Sequence, residues 1–335
     1  MKSKNGVWSK PVTTYILRRL IQTLVVIVLL SYVCFYLMTL MPGDPVELMI
    51  QSNPKITSED IARLRDLYGL DQPAYQRYGS WVKTIISGDL GYSRTYRVPV
   101  QELMGPRLWN TFYLSFLSLG LSLLIALPMG IYSALKPGSK VDYLVNFFSF
   151  GGISIPSFWL GLMLIIIFAV QLGVLPAGGT ETIGISDSAT DWTILLDRMK
   201  YLILPTLSLS VQQIGGFVRY VRSSMMEAMR NDFIRTAKAK GLERGVVIWK
   251  HGFRNALIPL ITIIALSFSG LFSGAILTET VFAYQGVGKL VYDSIMANDY
   301  NVAMISFIIS VSMVLLMNLL ADILYGFADP RITYN

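Results

Sequence analysis

A chain of 335 residues with 53% hydrophobic and only 15% charged residues, and a mean hydropathy of +0.53, is too apolar for a soluble domain and reads as an integral membrane protein. Its net charge of +7 does not point to nucleic acid, because the excess bases lie in loops that membrane topology already explains. A single cysteine, Cys34, excludes an intramolecular disulfide.

In chain order, residues 1–19 carry Lys2, Lys4, Lys10, Arg18 and Arg19 and form a cytoplasmic segment ahead of the first uncharged run, 20–41. The pattern is like a signal peptide, but this run exceeds the usual apolar core of about 7–15 residues and no small-residue cleavage site follows, so a retained membrane helix is predicted. Pro42, Gly43 and Pro45 stop it. Residues 42–107 form an extracytoplasmic amphipathic segment with two helices. Thr57 or Ser58 caps the first, which carries Glu59 and Asp60 in its opening turn, shows Ile61, Leu64, Leu67 and Tyr68 on one side and stops at Gly69. The second starts at Pro73, repeats Tyr75, Tyr78, Trp81, Val82 and Ile85 at helical spacing and stops at Gly88. This pair fits a cap that lies on the membrane, closes an outer mouth or receives a partner.

Residues 108–335 hold five further uncharged runs: 108–135, 143–180, 201–218, 255–278 and 300–321. At about 1.5 Å of rise per residue each can cross a hydrocarbon layer of about 30 Å, so the expected fold is all-α with six transmembrane helices. With the N-terminus inside, the cytoplasmic segments hold 17 of the 28 bases, and the two short outer loops hold 3 bases against 7 acids. Bases in short loops stay cytoplasmic, which places both termini in the cytoplasm. The third run is interrupted at Gly151, Gly152, Ser154, Pro156 and Trp159. Irregular backbone at membrane depth is tolerated where it is buried or lines a cavity, so this stretch fits a translocation path or a packing kink. Glu279, after the fifth run, fits the path or the outer headgroups.

The loop from Arg219 to Arg254 carries nine bases and the only histidine, His251. It is too long for a simple connection between helices. Met226, Met229, Phe233 and Ala237 form one helical stripe, Gly241 breaks the helix, and Val246, Trp249, Phe253 and Leu257 form a second stripe. This helix, glycine turn, helix fits either an interfacial hairpin that holds lipid phosphates or a docking element.

The chemistry of an enzyme is missing: there is no G-x-S-x-G, and one cysteine with one histidine makes no Cys/His metal site. No phosphate loop of the G-x-x-x-x-G-K-[ST] type occurs; the nearest string, Gly286-Val-Gly-Lys-Leu290, lacks the leading glycine and the hydroxyl residue. Charge-free spans disfavour a channel with charged rings, and neither terminus is long enough for a receptor output domain. A transporter subunit driven by a separate ATPase accounts for both the missing phosphate loop and the elaborate cytoplasmic loop. The non-transport alternative is a membrane-anchored scaffold with a lipid-binding loop.

An ordered set of motifs then carries a resemblance: Pro42-Gly-Asp-Pro45, Tyr68-Gly-Leu-Asp-Gln-Pro73, Gly88-Asp-Leu-Gly-Tyr-Ser93, Ser154-Ile-Pro-Ser-Phe-Trp159, Arg235-Thr-Ala-Lys-Ala-Lys-Gly-Leu242, His251-Gly-Phe-Arg-Asn-Ala-Leu-Ile-Pro259, Thr278-Glu-Thr-Val-Phe282 and Asp329-Pro-Arg-Ile332. Along nearly its whole length the chain resembles the B-type permease subunits of bacterial ABC importers for dipeptides and oligopeptides. In the family's cytoplasmic E-A-A signature, Arg235, Thr236 and Ala237 replace the E-A-A and Gly241 is kept. The resemblance implies a coupling helix within Arg235–Arg244 that rests in a cleft of the ATPase. Lys238, Lys240, Glu243 and Arg244 would make polar contacts there, Ala237, Gly241 and Leu242 would allow close approach, and Ala239 lies among them. It further implies a second homologous permease, two ATP-binding subunits that hold ATP and Mg, an extracytoplasmic peptide-binding protein and a bacterial inner-membrane location. No cofactor or metal is expected in this chain. Gln285 and Asn301 depart from the family's prolines at those positions. The family also includes importers of nickel, glutathione and antimicrobial peptides, which the resemblance leaves open.

Overall fold

In lipid, a chain must satisfy its backbone within each spanning segment, and for separate apolar runs that means helices. The structure, a computed structural model, describes residues 10–40, 57–67, 69, 71–185 and 189–328. Its main helices are α1 (Lys10–Thr39), α2 (Ser58–Leu67), α3 (Ala74–Ile86), α4 (Val100–Leu135), α5 (Lys140–Ser154), α6 (Ser157–Leu164), α7 (Asp191–Arg230), α8 (Asp232–Ala239), α9 (Arg254–Gly274), α10 (Ile276–Val281), α11 (Val287–Met296) and α12 (Tyr300–Ala328). Wider π-helical turns extend α6 over Ile165–Gln171 and lead into α9 over Val247–Phe253. Among the described residues the one β feature is an isolated bridge between Tyr92 and Pro99.

Helices α1, α4, α7 and α12 each hold a stretch long and apolar enough to span a membrane, and two bent pairs, α5 with α6 and the segments on either side of Pro259, bring the number to six if each pair is one span. The helices outrun the uncharged stretches that announce them: α1 starts at Lys10, and α7 runs 40 residues around the stretch 201–218. Helical hydrogen bonding does not end where the hydrocarbon ends. Both amphipathic helices form as expected. Thr57 and Asp60 cap α2 reciprocally, Asp60 N–H donating to Thr57 Oγ1 at 3.2 Å and Thr57 N–H to Asp60 Oδ2 at 3.1 Å. The stop at Pro42–Pro45, Tyr68 and Leu70 of the second motif, and Asp329–Ile332 lie outside the described residues.

The α4–α7 seam organises the rest. On α4, Thr111, Ser115, Ser118, Ser122, Ala126, Gly130 and Ser133 recur every three or four residues and all are buried, a face of small side chains that lets backbones approach in a membrane. Ser210 of α7 donates to Ser118 O at 3.1 Å, and a Cβ on Gly130 would lie 2.7 Å from Val221 Cβ. The matched positions rise together, so α4 and α7 run parallel. Helix α5 packs against α7 in the opposite sense, with Gly152 against Val211 O and Ser149 O against Gly215. Alternating direction between successive helices is what repeated membrane crossing requires.

At one end of this bundle, α3 lays part of its amphipathic face on the chain's own helices. Tyr78 bonds Ser31 of α1 at 2.7 Å, and Tyr78, Trp81 and Phe35 form an aromatic group against Met304 of α12. Tyr78 and Trp81 are thereby engaged by the chain's own helices, while Tyr75 stays exposed.

Candidate functional site

Three regions hold the residues singled out in the sequence. The first is the basic loop. Asn231 adopts an extended conformation, φ −70° and ψ 154°, so the expected first helix is split: Met226 and Met229 belong to α7, Phe233 and Ala237 to α8. The split rotates the stripe. Ile234, Ala237 and Val247 are buried together with Met229 against them, while Phe233 is exposed. The second stripe is also shifted, because π-helical turns through Val247–Phe253 take more residues per turn; Trp249 points outward and Val247 inward.

Helix α8 ends as glycine-capped helices do. Leu242 N–H donates to Ala237 O at 3.3 Å and Gly241 N–H to Lys238 O at 3.0 Å, with Gly241 at φ +72°, where a side chain is disfavoured. Around this turn Arg235, Thr236, Lys238, Ala239, Lys240, Gly241, Leu242, Glu243 and Arg244 are all exposed, and Ala237 alone faces inward. Among the described residues, no heavy atom beyond Gly241 and its two chain neighbours lies within 4 Å of where a Gly241 Cβ would be. Beside the turn is a cleft of about 490 Å³ with Lys238 and Arg244 on its lining and an apolar remainder of Leu135, Met229, Leu242, Val247 and Ile248.

The root of the loop, by contrast, is fixed. Arg222 grips Asp142 with two parallel bonds, Nε to Oδ1 at 2.8 Å and Nη2 to Oδ2 at 2.9 Å; Ser133 donates to the same carboxylate, as does the Gly138 N–H at 2.8 Å. This pair, buried at Asp142 and partly exposed at Arg222, ties α4, α5 and α7 together. Arg219 lies over the Phe150 ring at 4.9 Å. Two of the nine bases thus contact the chain's own side chains. The sequence signal for the pair is an acid, Asp142, that borders the uncharged run 143–180, and a base, Arg222, four residues past the end of the run 201–218.

The second region is the broken third run. Helices α5 and α6 meet at 95°, with Pro156 as the residue capping α6. Helix α7 supplies what the broken backbone lacks: Gln212 Nε2 donates to Ile155 O at 3.2 Å and Ser208 Oγ to Ser157 O at 2.6 Å. Gly152 is buried against Val211, while Gly151, Ser154 and Trp159 stay exposed at the bend. Gln212 and Ser208 carry no local motif; only the fold brings them to the break.

The third region holds Glu279, expected at the path or in the outer headgroups. Within this chain it is wholly buried. Thr111 Oγ1 of α4 donates to Glu279 Oε1 at 2.7 Å, and the Lys289 N–H of α11 donates to Oε2 at 2.9 Å; the Gly288 N–H also bonds the carboxylate. Thr111 Oγ1 in turn accepts from the Val287 N–H at 2.9 Å. The free N–H groups of the first turn of α11 are thereby satisfied by α10 and α4, where the helix favours a negative charge. Burial pushes the Glu279 carboxyl up to about 7, against the opposite pull of these bonds and of the Arg107 guanidinium. A Cβ on Gly286 would overlap the carboxylate, and one on Gly288 would lie 2.9 Å from Oε2. The string that fell short of a phosphate loop is thus a cradle for an anion, and the anion is the chain's own.

Residues 126–334 match the binding-protein-dependent transport system inner membrane component family, and residues 12–101 match the N-terminal region of such membrane components. The chain belongs to this family. It is similar to the oligopeptide transport system permease protein AppB of Bacillus subtilis, 41% identical over 96% of this chain and 99% of that one. It is also similar to the dipeptide transport system permease proteins DppB of Alkalihalophilus pseudofirmus, 37% identical over 96% and 99%, and of Escherichia coli K12, 35% identical over 96% and 98%. In fold it is similar to an inward-facing structure of the MetNI methionine ABC transporter, with a TM-score of 0.52 and 19% identity over 68% of this chain and 97% of that one. A permease subunit of this family is a multi-pass inner-membrane protein that works with ATPase subunits and a substrate-binding protein, and is not itself an enzyme.

Proposed function

We propose that this chain is one of two homologous permease subunits enclosing the pathway of an ATP-driven importer of di- and oligopeptides. Two ATPase subunits, holding ATP and Mg, engage Arg235–Arg244 on the cytoplasmic side, and an extracytoplasmic peptide-binding protein delivers substrate to the opposite face. Each bent pair counts as one span, giving six, with both termini cytoplasmic. The observation that carries the coupling role is the Gly241 turn: a stiff, capped corner with open space around it, anchored by Ile234, Ala237 and Val247. The cleft beside it, cationic at Lys238 and Arg244 over an apolar lining, suits an acidic side chain flanked by an apolar one. The relatives' names support peptide as the substrate class.

ATP binding draws the ATPases together and drags the coupling turns, and the fixed root at Asp142 and Arg222 passes the motion to α4, α5 and α7. The bend at Gly151, Gly152, Ser154, Pro156 and Trp159 borders the path. Uncharged spans hold peptide loosely and leave selectivity to the binding protein. The test is reconstitution with the binding protein exchanged for one of another specificity: uptake should follow the new binding protein, and retention of the original preference would sink the reading. Co-purification with an ATPase that has a phosphate loop checks the partner assignment.

A further inference from the structure

Helix α10 is six residues long and is held from two sides. Through Glu279 it is bonded to α4 and to the first turn of α11, in a carboxylate cradle that Gly286 and Gly288 leave open. On the other side, Phe282, which follows α10 directly, packs its ring against Gly161 of α6, where a Cβ would lie 2.9 Å from Phe282 Cε2. Its carbonyl accepts from the Gly179 N–H at 2.8 Å in the loop beyond α6. The two attachments differ in kind. The first is a wholly buried carboxylate with a hydroxyl and backbone N–H groups directed at it, so separating it would strand a charge and several donors at once. The second is a buried apolar ring against Gly161, with Gly178 packed on the Phe282 carbonyl and a single backbone bond beside it; apolar surfaces in a membrane part at lower cost than a buried carboxylate and its donors.

We propose that Glu279 is a positioning residue for the transport cycle: it makes α10 part of the α4–α11 body, so that this end of the molecule parts between Phe282 and Gly161 when the pathway opens. This rests on the importer reading above and adds the line along which the half-pathway divides. Helix α6 then moves relative to α10, pivoting at its bend with α5, which stays tied to α4 and α7 by Asp142 and Arg222, while α10 and α11 travel as one piece. Gly286 and Gly288 serve the same device by admitting the carboxylate.

The test uses the full transporter assembled with its ATPase subunits in lipid nanodiscs, with Cys34 replaced by serine and pairs of spin labels at exposed positions. Leu277 on α10, Leu162 on α6 and Met296 on α11 are exposed and are replaced by cysteine in pairs. The Leu277–Leu162 distance should change between the nucleotide-free and ATP-trapped states, whereas the Leu277–Met296 distance should hold to within the width of its distribution. In Glu279→Gln the second distribution should broaden, and ATP hydrolysis without binding protein should rise several-fold relative to the stimulated rate. Gly286→Ala should do the same, and combining it with Glu279→Ala should not worsen the ratio further, since the methyl then has no carboxylate to displace. A constant Leu277–Leu162 distance, or an unaltered Leu277–Met296 distribution in a folded Glu279→Gln transporter, overturns the proposal. If the wild-type assembly takes up no dipeptide, the substrate reading fails, while the distance measurements still decide the role of Glu279.

Discussion

The Gly241 turn and the Glu279 junction both depend on glycine beside a helix end, and they use it in opposite ways. At Gly241 the requirement is conformational, φ +72°, and the space around the residue is empty. At Gly286 the backbone is extended, φ −97°; the requirement is room, and a carboxylate of the same chain fills it. One helix end is completed internally, so that its N–H groups and its counter-charge are buried together. The other ends in a stiff, exposed corner. A junction finished by its own chain positions helices; one left open is finished by another chain. The largest expected effect tests whether the open corner really stands on a fixed base. Asp142→Ala leaves Arg222, Ser133 and the Gly138 N–H without their shared acceptor and should cost about 3 kcal/mol, lowering the unfolding temperature in detergent. Replacing both partners together, Asp142→Leu with Arg222→Met, should recover most of that loss. If the single variant unfolds like the wild type, the loop has no rigid root and the contrast between its base and its tip collapses.

The closed junction should also be sensitive to pH. The folded-state pKa of Glu279 is raised from 4.5 to about 7, so its contribution to stability is fully present below pH 4.5 and is lost as the pH rises through 7. The change is at most about 3 kcal/mol. Arg107 and Tyr284 face the same carboxylate; the first resists the shift, and the second has its own hydroxyl pushed up by burial and by the Glu279 charge. Melting measured from pH 5 to pH 8 should therefore fall in the wild type and stay nearly flat in Glu279→Gln. Equal slopes would mean that the junction admits water.

These two regions also differ in how much of them can be read from the sequence. Gly241 announces itself, because a helical pattern broken by glycine has few other readings, and the Schellman bonds follow. The split at Asn231 was not legible: periodicity ran on through it, and Asn231 adopts the extended conformation that divides the pattern. The π-helical turns displaced the second stripe for a related reason, since a pattern fitted to 3.6 residues per turn cannot register a wider turn. Glu279 was legible as an anomaly but not as a hub. Its partners lie on helices far apart in sequence, and Thr111 reads there as one more small residue in the α4 stripe. The break at Pro156 was visible, but not Gln212 and Ser208, which satisfy the opened backbone across the interface with α7. Local punctuation survives in a sequence, whereas satisfaction at a distance does not.

The open corner should respond differently to substitution. Gly241→Val puts a β-branched residue at positive φ, costing about 1–2 kcal/mol locally, yet meets no neighbour. The subunit should reach the membrane in normal amount while ATP-driven peptide uptake falls about tenfold or more. A parallel loss of membrane protein and uptake would make the turn a folding element like Gly286, which would erase the distinction between the two ends.

The smallest expected effect concerns the ion pair on the open helix, Arg235 with Asp232 at 3.2 Å. Both side chains are largely exposed, 83% and 91%, and pairs of this kind contribute less than about 1 kcal/mol to folding. Arg235→Ala should therefore leave the melting temperature of the isolated subunit nearly unchanged. If Arg235 belongs to a surface completed by an ATPase, the same substitution should show itself only in the assembly, as a several-fold faster dissociation of the ATPase subunits. The ratio of the two effects is the informative quantity: at an internally finished junction a substitution acts on the subunit alone, and at an open one it acts on the complex.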